Sequence, residues 1–192
     1  MDPHTDTDAD LTVEVLDGAA GRDGALVARL ADLVNDVYVV AEAGLWRDGA
    51  RRTSRDEMAE LIAAGQILVA REPEGRIVGL VHVHPVAEDA DGLGMLVADP
   101  DRRGVGIGRA LVAFAEHHSR ARGRRAMHLE LLVPREWRHP AKDILGSWYG
   151  RIGYRVISVG AMDDTHPHLA PLLATPCDLQ LREKPLHDHA GP

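Results

Sequence analysis

Gly104, Gly106 and Gly108 alternate within residues 100–111, PDRRGVGIGRAL, at the point where the apolar patterning changes its period. Before them, Leu93 to Ala98 reads as a strand stopped by Pro100. From Gly106 onward, Ile107, Leu111, Phe114 and His118 fall on one face of a long helix, with Arg109, Glu116 and Arg120 opposite. Met127 to Val133 follows as a strand of the buried type. A strand, a helix and a strand of these lengths fit a crossover that joins two parallel strands of one sheet. The chain is therefore expected to be a layered α/β protein, with a glycine-rich turn leading into the crossover helix.

The remaining segments supply elements around that unit. Leu11, Val13 and Val15 alternate with polar residues as a first strand. Leu26, Leu30, Leu33, Val34 and Val37 recur at helical spacing, with Gly44 as the stop. Ser54 followed by Glu57 is a capping box for a short helix that carries Met58, Leu61 and Ile62 and closes at Gly65. Ile67 to Arg71 and Ile77 to His84 form a hairpin about Pro73, Glu74 and Gly75. Pro140 suits a helix first turn, and Ile144, Leu145, Trp148 and Ile152 form the apolar stripe of that helix, which ends at Gly153. Tyr154 to Val159 and Cys177 to Leu181 are the last strands, separated by a loop that holds His166 to Leu173. The expected organisation is one domain over residues 11–184, with polar tails at 1–10 and 185–192, the latter carrying His187 and His189.

Composition narrows the function classes. A chain of 192 residues suffices for one domain with a core, and aromatic residues at only 4% leave that core to aliphatic side chains. A net charge of -8 at pH 7 argues against a nucleic-acid surface, which needs clustered Lys and Arg. Cys177 is the only cysteine, so no internal disulfide and no cysteine-based metal cluster is available. The start MDPHTDTDAD lacks the basic and apolar run of a secretory signal, and no stretch approaches the roughly 20 apolar residues of a membrane helix. The expectation is a soluble, cytoplasmic protein that uses neither nucleic acid nor membrane as a partner.

Alternating glycines at a strand-to-helix turn leave backbone N–H groups unpaired and unobstructed, an arrangement that binds phosphate. Arg102, Arg103 and Arg109 add positive charge in an acidic chain. One glycine would suffice for a tight turn alone. The dinucleotide pattern GxGxxG fails, because its third glycine falls on Arg109, or on Leu111 when counted from Gly106. Glu130 does lie near the distance for a ribose contact, which keeps a nicotinamide-binding oxidoreductase among the alternatives. A Walker loop is excluded by the absence of Gly-Lys-Ser/Thr.

Residues 96–111, LVADPDRRGVGIGRAL, resemble the coenzyme A motif of the GNAT acetyltransferase superfamily, with Arg103, Gly106 and Gly108 on the pattern Arg/Gln-x-x-Gly-x-Gly/Ala. A second family motif is matched by Tyr149, Gly153 and Tyr154 in WYGRIGY. The resemblance implies a mixed, mostly antiparallel sheet of about seven strands with a splayed parallel pair, flanked by about four helices. It implies acetyl-coenzyme A as acyl donor, an amine acceptor and, as is common in the family, a dimer. The pyrophosphate would lie on the loop Arg103, Gly104, Val105, Gly106, Ile107, Gly108 and Arg109, with the pantetheine beside Leu96, Val97 and Ala98. The backbone at Val97 or Ala98 would face the acyl oxygen.

Acyl transfer to an amine needs a proton acceptor for the amine and a donor for the departing thiolate. Tyr149, at the edge of the apolar stripe, is the candidate general acid. Glu130 or His82 is the candidate base, acting directly or through water, and His84, Glu88 and Glu42 are further residues able to rim the pocket. His82 and His84 share a strand face without a third ligand, so no metal is expected. Lys142 stands where the family often has an Asn that contacts the pantetheine. The basic loop Arg135, Trp137, Arg138 and Lys142 could reach phosphate, shape the acceptor site or simply be solvated. Glu42, Asp48 and Glu57 could favour a cationic amine. A coenzyme A-binding sensor without turnover shares the whole loop and differs only at the catalytic face.

Overall fold

The computed structural model describes residues 11–102 and 104–186, so the expectations for residues 1–10, Arg103, His187 and His189 lie outside the described residues. A seven-stranded sheet runs in the order β1-β2-β3-β4-β5-β7-β6. Its strands are β1 (Thr12–Val15), β2 (Ile67–Arg71), β3 (Ile77–Pro85), β4 (Ala90–Ala98), β5 (Ala126–Pro134), β6 (Arg155–Ala161) and β7 (Cys177–Pro185). Among the described residues only β4 and β5 pair in parallel, and the crossover between them is the helix opened by the glycine turn. The helices are α1 (Gly24–Ala41), α2 (Arg55–Ala63), α3 (Ile107–Ala121), α4 (Pro140–Arg151) and the single turn α5 (Met162–Thr165).

The ends of the helices follow local chemistry. Asp23 caps α1 through its carboxylate, which accepts from the Ala25 and Leu26 amides. Ser54 and Glu57 form the reciprocal capping box of α2. Pro140 opens α4, where its missing N–H costs nothing. By contrast α3 begins at Gly106, with φ 79°, and no side chain caps it.

Both faces of the sheet are covered, and β2 shows how one strand serves both. Leu68 and Ala70 join the core under α3 and α4, whereas Ile67 and Val69 join the core under α1 and α2. A period-two strand buried on both faces loses its polar positions, which is why ILVA reads as a continuous apolar run. α3 sits against β3 only because residue 79 is glycine: a Cβ there would lie 2.6 Å from Ile107 Cγ2 and 2.8 Å from the Val97 carbonyl oxygen.

Parallel pairing between β4 and β5 starts at Ala90–Ala126 and stops at Leu93–Leu129. Beyond that point the two strands diverge. The cause lies on the other edge of β4: Leu80 faces Val97 while His82 faces Gly94, so β4 carries one residue more than β3, and Met95 takes φ 47° to absorb it. Such a bulge bends its strand and raises its twist. The closed end is pinned by Asp91, fully buried, which accepts from the Ser119 hydroxyl at 2.7 Å and lies 3.0 Å from Arg124 Nε.

Three details differ from the pattern expected of the sequence. β7 lies between β5 and β6 and runs through Pro185, and Leu186 is fully buried, so the ordered chain extends two residues past the boundary drawn at 184. Ile144 is 69% exposed instead of belonging to the α4 stripe. Glu116, placed on the solvent face of α3, is buried because it accepts from the Tyr154 hydroxyl and pairs with Lys184. Among the described residues no helix is long and apolar enough to cross a membrane.

Candidate active site

The divergence of β4 and β5 opens a cavity of about 550 Å³, floored by Gly94, Met95 and Leu96 on one side and by Glu130 to Leu132 on the other. Three of the side chains singled out from the sequence, Tyr149, His82 and Glu130, converge on it from α4, β3 and β5. They are far apart in sequence, and only the splay brings them to one space.

Tyr149 is 5% exposed. Its ring packs edge-on against Tyr154, with centroids 5.6 Å apart, and among the described residues its hydroxyl has no hydrogen-bond partner. Burial pushes its pKa well above the ordinary phenol value, the neighbouring Tyr38 adds to that, and Arg182 opposes it. The group is therefore a neutral O–H at physiological pH.

His82 Nε2 lies 3.0 Å from Gln66 Oε1, which can only accept, so Nε2 carries the proton and Nδ1 presents a lone pair. That nitrogen faces β4, within 3.9 Å of where a Cβ on Gly94 would lie. Burial first, then the stacked ring of His84 at 4.4 Å and the charge of Arg52, lower the His82 pKa to about 4. His82 is thus neutral at physiological pH. Glu130 pairs instead with His166 Nε2 at 2.7 Å, a partner delivered by the loop after α5.

Lys142 turns inward. With 6% of its side chain exposed, it forms an ion pair with Glu42 at the end of α1, and Glu42 also accepts from Trp46 Nε1. Its charge is spent there and not on a phosphate. Arg135 and Arg138 of the same loop pair with Asp178 and Asp143 at 2.6 and 2.9 Å. Burial, with Glu42 nearby, raises the Cys177 thiol to about 11, so it stays protonated and unreactive. Glu57 is consumed by the capping box and by the Thr53 hydroxyl. Among the described residues no group of three His, Cys, Asp or Glu side chains is placed to hold a metal ion.

The glycine turn lies beyond Leu96, Val97 and Ala98, at the open end of β4. Gly104 and Gly106 have φ of 84° and 79°, a conformation that disfavours any Cβ. Gly108 is different: it lies in the first turn of α3 without positive φ, and a Cβ there would meet no heavy atom of the described residues within 4 Å. Nothing inside the fold requires it to be glycine. The uncapped amides and the bare surface over Gly104, Gly106 and Gly108 make a cradle open to a phosphate-sized group. Arg109 is exposed beside it, while Arg102 is drawn off to Glu72 at 2.7 Å.

Sequence reasoning missed the Glu42–Lys142 pair and the clearance at Gly79. The pair spans 100 residues, and no periodicity signals it. Gly79 offered one cue, an isolated glycine in a strand, which marks a close backbone approach.

Residues 63–156 match the family described as Acetyltransferase (GNAT) domain. A mixed sheet with one splayed parallel pair and an uncapped glycine turn is the architecture of that class. Over that segment the chain matches the GNAT acetyltransferase family, and its fold is that of the GNAT enzymes. No curated protein matches it by sequence. Among solved structures it is similar to yncA of Salmonella typhimurium, determined with its cofactor acetyl-CoA: 18% identity, TM-score 0.65, covering 95% of this chain and 98% of that one. Rv2747 of Mycobacterium tuberculosis, a complex with CoA, gives 17% identity and TM-score 0.63 over 92% and 99%. A mosquito arylalkylamine N-acetyltransferase like 5b gives 15% identity and TM-score 0.66 over 92% and 100%.

Proposed function

We propose that the protein transfers the acetyl group of acetyl-coenzyme A directly to a primary amine in the β4–β5 cleft. The observation that carries this reading is Tyr149, a buried residue lining the space where the two strands part, with no hydrogen-bond partner for its hydroxyl among the described residues. Bound acetyl-coenzyme A would supply the thioester carbonyl and a thiolate leaving group. The cradle at Gly104 to Arg109 suits its pyrophosphate, because amides at a helix start donate charge-assisted bonds worth roughly 1.5–3 kcal/mol each. Leu96, Val97 and Ala98 flank the pantetheine path, and the Val97 or Ala98 amide is the donor to the developing oxyanion.

In the transfer a C–N bond forms and a C–S bond breaks. An alkylammonium of pKa about 10.4 must first lose a proton, at a cost of roughly 4–5 kcal/mol at neutral pH. His82 Nδ1, held neutral with its lone pair toward the cleft, accepts a hydrogen bond from the amine and orients it. The proton leaves by water toward Glu130 and its partner His166. Tyr149 gives its proton to the thiolate, whose pKa resembles that of cysteine, about 8.5, and regains one from the proton that the attacking nitrogen loses as the amide forms. The buried thiol of Cys177 gives no covalent route.

Tyr149→Phe removes only a hydroxyl with no hydrogen-bond partner among the described residues, so the fold and coenzyme A affinity should persist while turnover falls by about 100-fold or more. Thiol release across an amine panel, beside calorimetric titration with coenzyme A, measures both. Unchanged turnover rejects Tyr149 as the acid. Tight coenzyme A binding with no thiol release from any amine would instead favour a sensor.

A further inference from the structure

Opening off the far end of the cleft is a second cavity of about 330 Å³, which shares Tyr38, Glu42, Trp46 and Arg52 with the first. The acids around the cleft, taken from the sequence, would favour a cationic acceptor. Their placement reverses that expectation. Glu42 is neutralised by Lys142, and Glu57 is occupied in the start of α2. What remains on the wall of the second cavity is Asp48 against Arg47, Arg51 and Arg52, a local positive excess in a chain of net charge -8.

Arg52 is the arginine at the junction of the two cavities, and it is held in place. Its backbone N–H donates to Asn35 Oδ1 at 2.8 Å, and the buried Asn35 amide in turn donates to the carbonyls of Ala31 and Thr53. Its guanidinium lies over the Tyr38 ring, 5.2 Å from the centroid, and forms no ion pair with a carboxylate among the described residues. A cation fixed by its backbone and by an aromatic face loses little entropy on accepting a bidentate anion. Arg52 also acts electrostatically on His82, so its charge is felt where the amine would stand.

We infer that the acceptor is an amine bearing a carboxylate, an amino-acid-type substrate whose carboxylate docks on Arg52 while its amine reaches toward His82 and Tyr149. The side chain of such a molecule would enter the second cavity against Trp46 and Leu169. This rests on the acetyl-transfer reading for its meaning but is testable without turnover.

The test is calorimetric titration of the full chain saturated with coenzyme A, using matched pairs: leucine and 3-methylbutylamine, phenylalanine and 2-phenylethylamine, lysine and 1,5-diaminopentane. At least one carboxylate-bearing member should bind about tenfold or more tightly than its decarboxylated partner, the scale of one charge-assisted contact. Arg52→Met should abolish that difference, Arg52→Lys should restore part of it, and neither should alter coenzyme A affinity. Equal affinity within every pair, no binding by any carboxylate-bearing member, or a preference that survives Arg52→Met overturns the inference. Preference for the carboxylate without acetyl transfer to any amine would overturn the proposed reaction and leave the Arg52 site standing.

Discussion

Gly79, Gly106 and Gly108 cluster about the start of α3, yet each is glycine for a different physical reason, and a single Ala at each separates them. At Gly79 the obstacle is space: the new Cβ would lie 2.6 Å from Ile107 Cγ2 and 2.8 Å from the Val97 carbonyl oxygen. A backbone atom cannot swing aside as a side-chain end can, so overpacking should cost about 1–3 kcal/mol. Gly106 has open space but φ 79°, so only the left-handed conformation is penalised, by about 1–2 kcal/mol. Gly108 has open space and helical backbone, so Ala should stabilise by up to about 1 kcal/mol through helix propensity. For a domain of this size each kcal/mol moves Tm by about 2–4 °C. Thermal unfolding without ligand should therefore show two decreases, at Gly79→Ala and Gly106→Ala, and one increase, at Gly108→Ala. A loss of stability at Gly108→Ala, or none at Gly79→Ala, would refute the reasoning, because the first would mean that the fold itself needs Gly108. Repeating the scan with coenzyme A adds the binding readout: Gly106→Ala should gain less than wild type from ligand, since it distorts the amides proposed to hold the pyrophosphate.

Lys142→Met leaves the Glu42 carboxylate buried without its cation and should destabilise by about 3–5 kcal/mol in urea unfolding, whereas Lys142→Met with Glu42→Gln should recover most of that loss; equal losses would contradict the pairing. Acid stability should depend on His82. Its folded pKa of about 4 lies below the ordinary imidazole value of 6.5, so the unfolded chain binds the extra proton and stability falls as pH drops from 6.5 toward 4. His82→Gln should flatten the denaturation midpoint over that window, and an unchanged slope would count against its burial as a neutral group.

Much of the architecture could be read along the chain because its signals are local. The capping box at Ser54 and Glu57, Pro140 at the start of α4, and the period of β2 each involve residues a few positions apart. Even the parallel pairing of β4 and β5 was legible, since strand, helix and strand are consecutive. The insertion of β7 between β5 and β6 was not: β6 comes first in sequence, but Val156, Ile157 and Val159 are 46–56% exposed, which suits an edge. Nor did helical spacing foretell that Ile144 faces solvent, because a period marks a face without saying what covers it.

What the sequence determined by itself were the parts of the proposed donor end. The glycine turn and Tyr149 of WYGRIGY are short patterns whose chemistry follows from backbone conformation and residue type. The proposed acceptor end rests on tertiary structure alone. Whether Glu42 attracts a cation depends on Lys142, 100 residues away, and whether Arg52 is a surface charge or a docking point depends on Asn35 and Tyr38 holding it between two cavities. Net charge sums over a chain, but recognition depends on which charges remain unpaired where the ligand stands, and only the fold performs that subtraction.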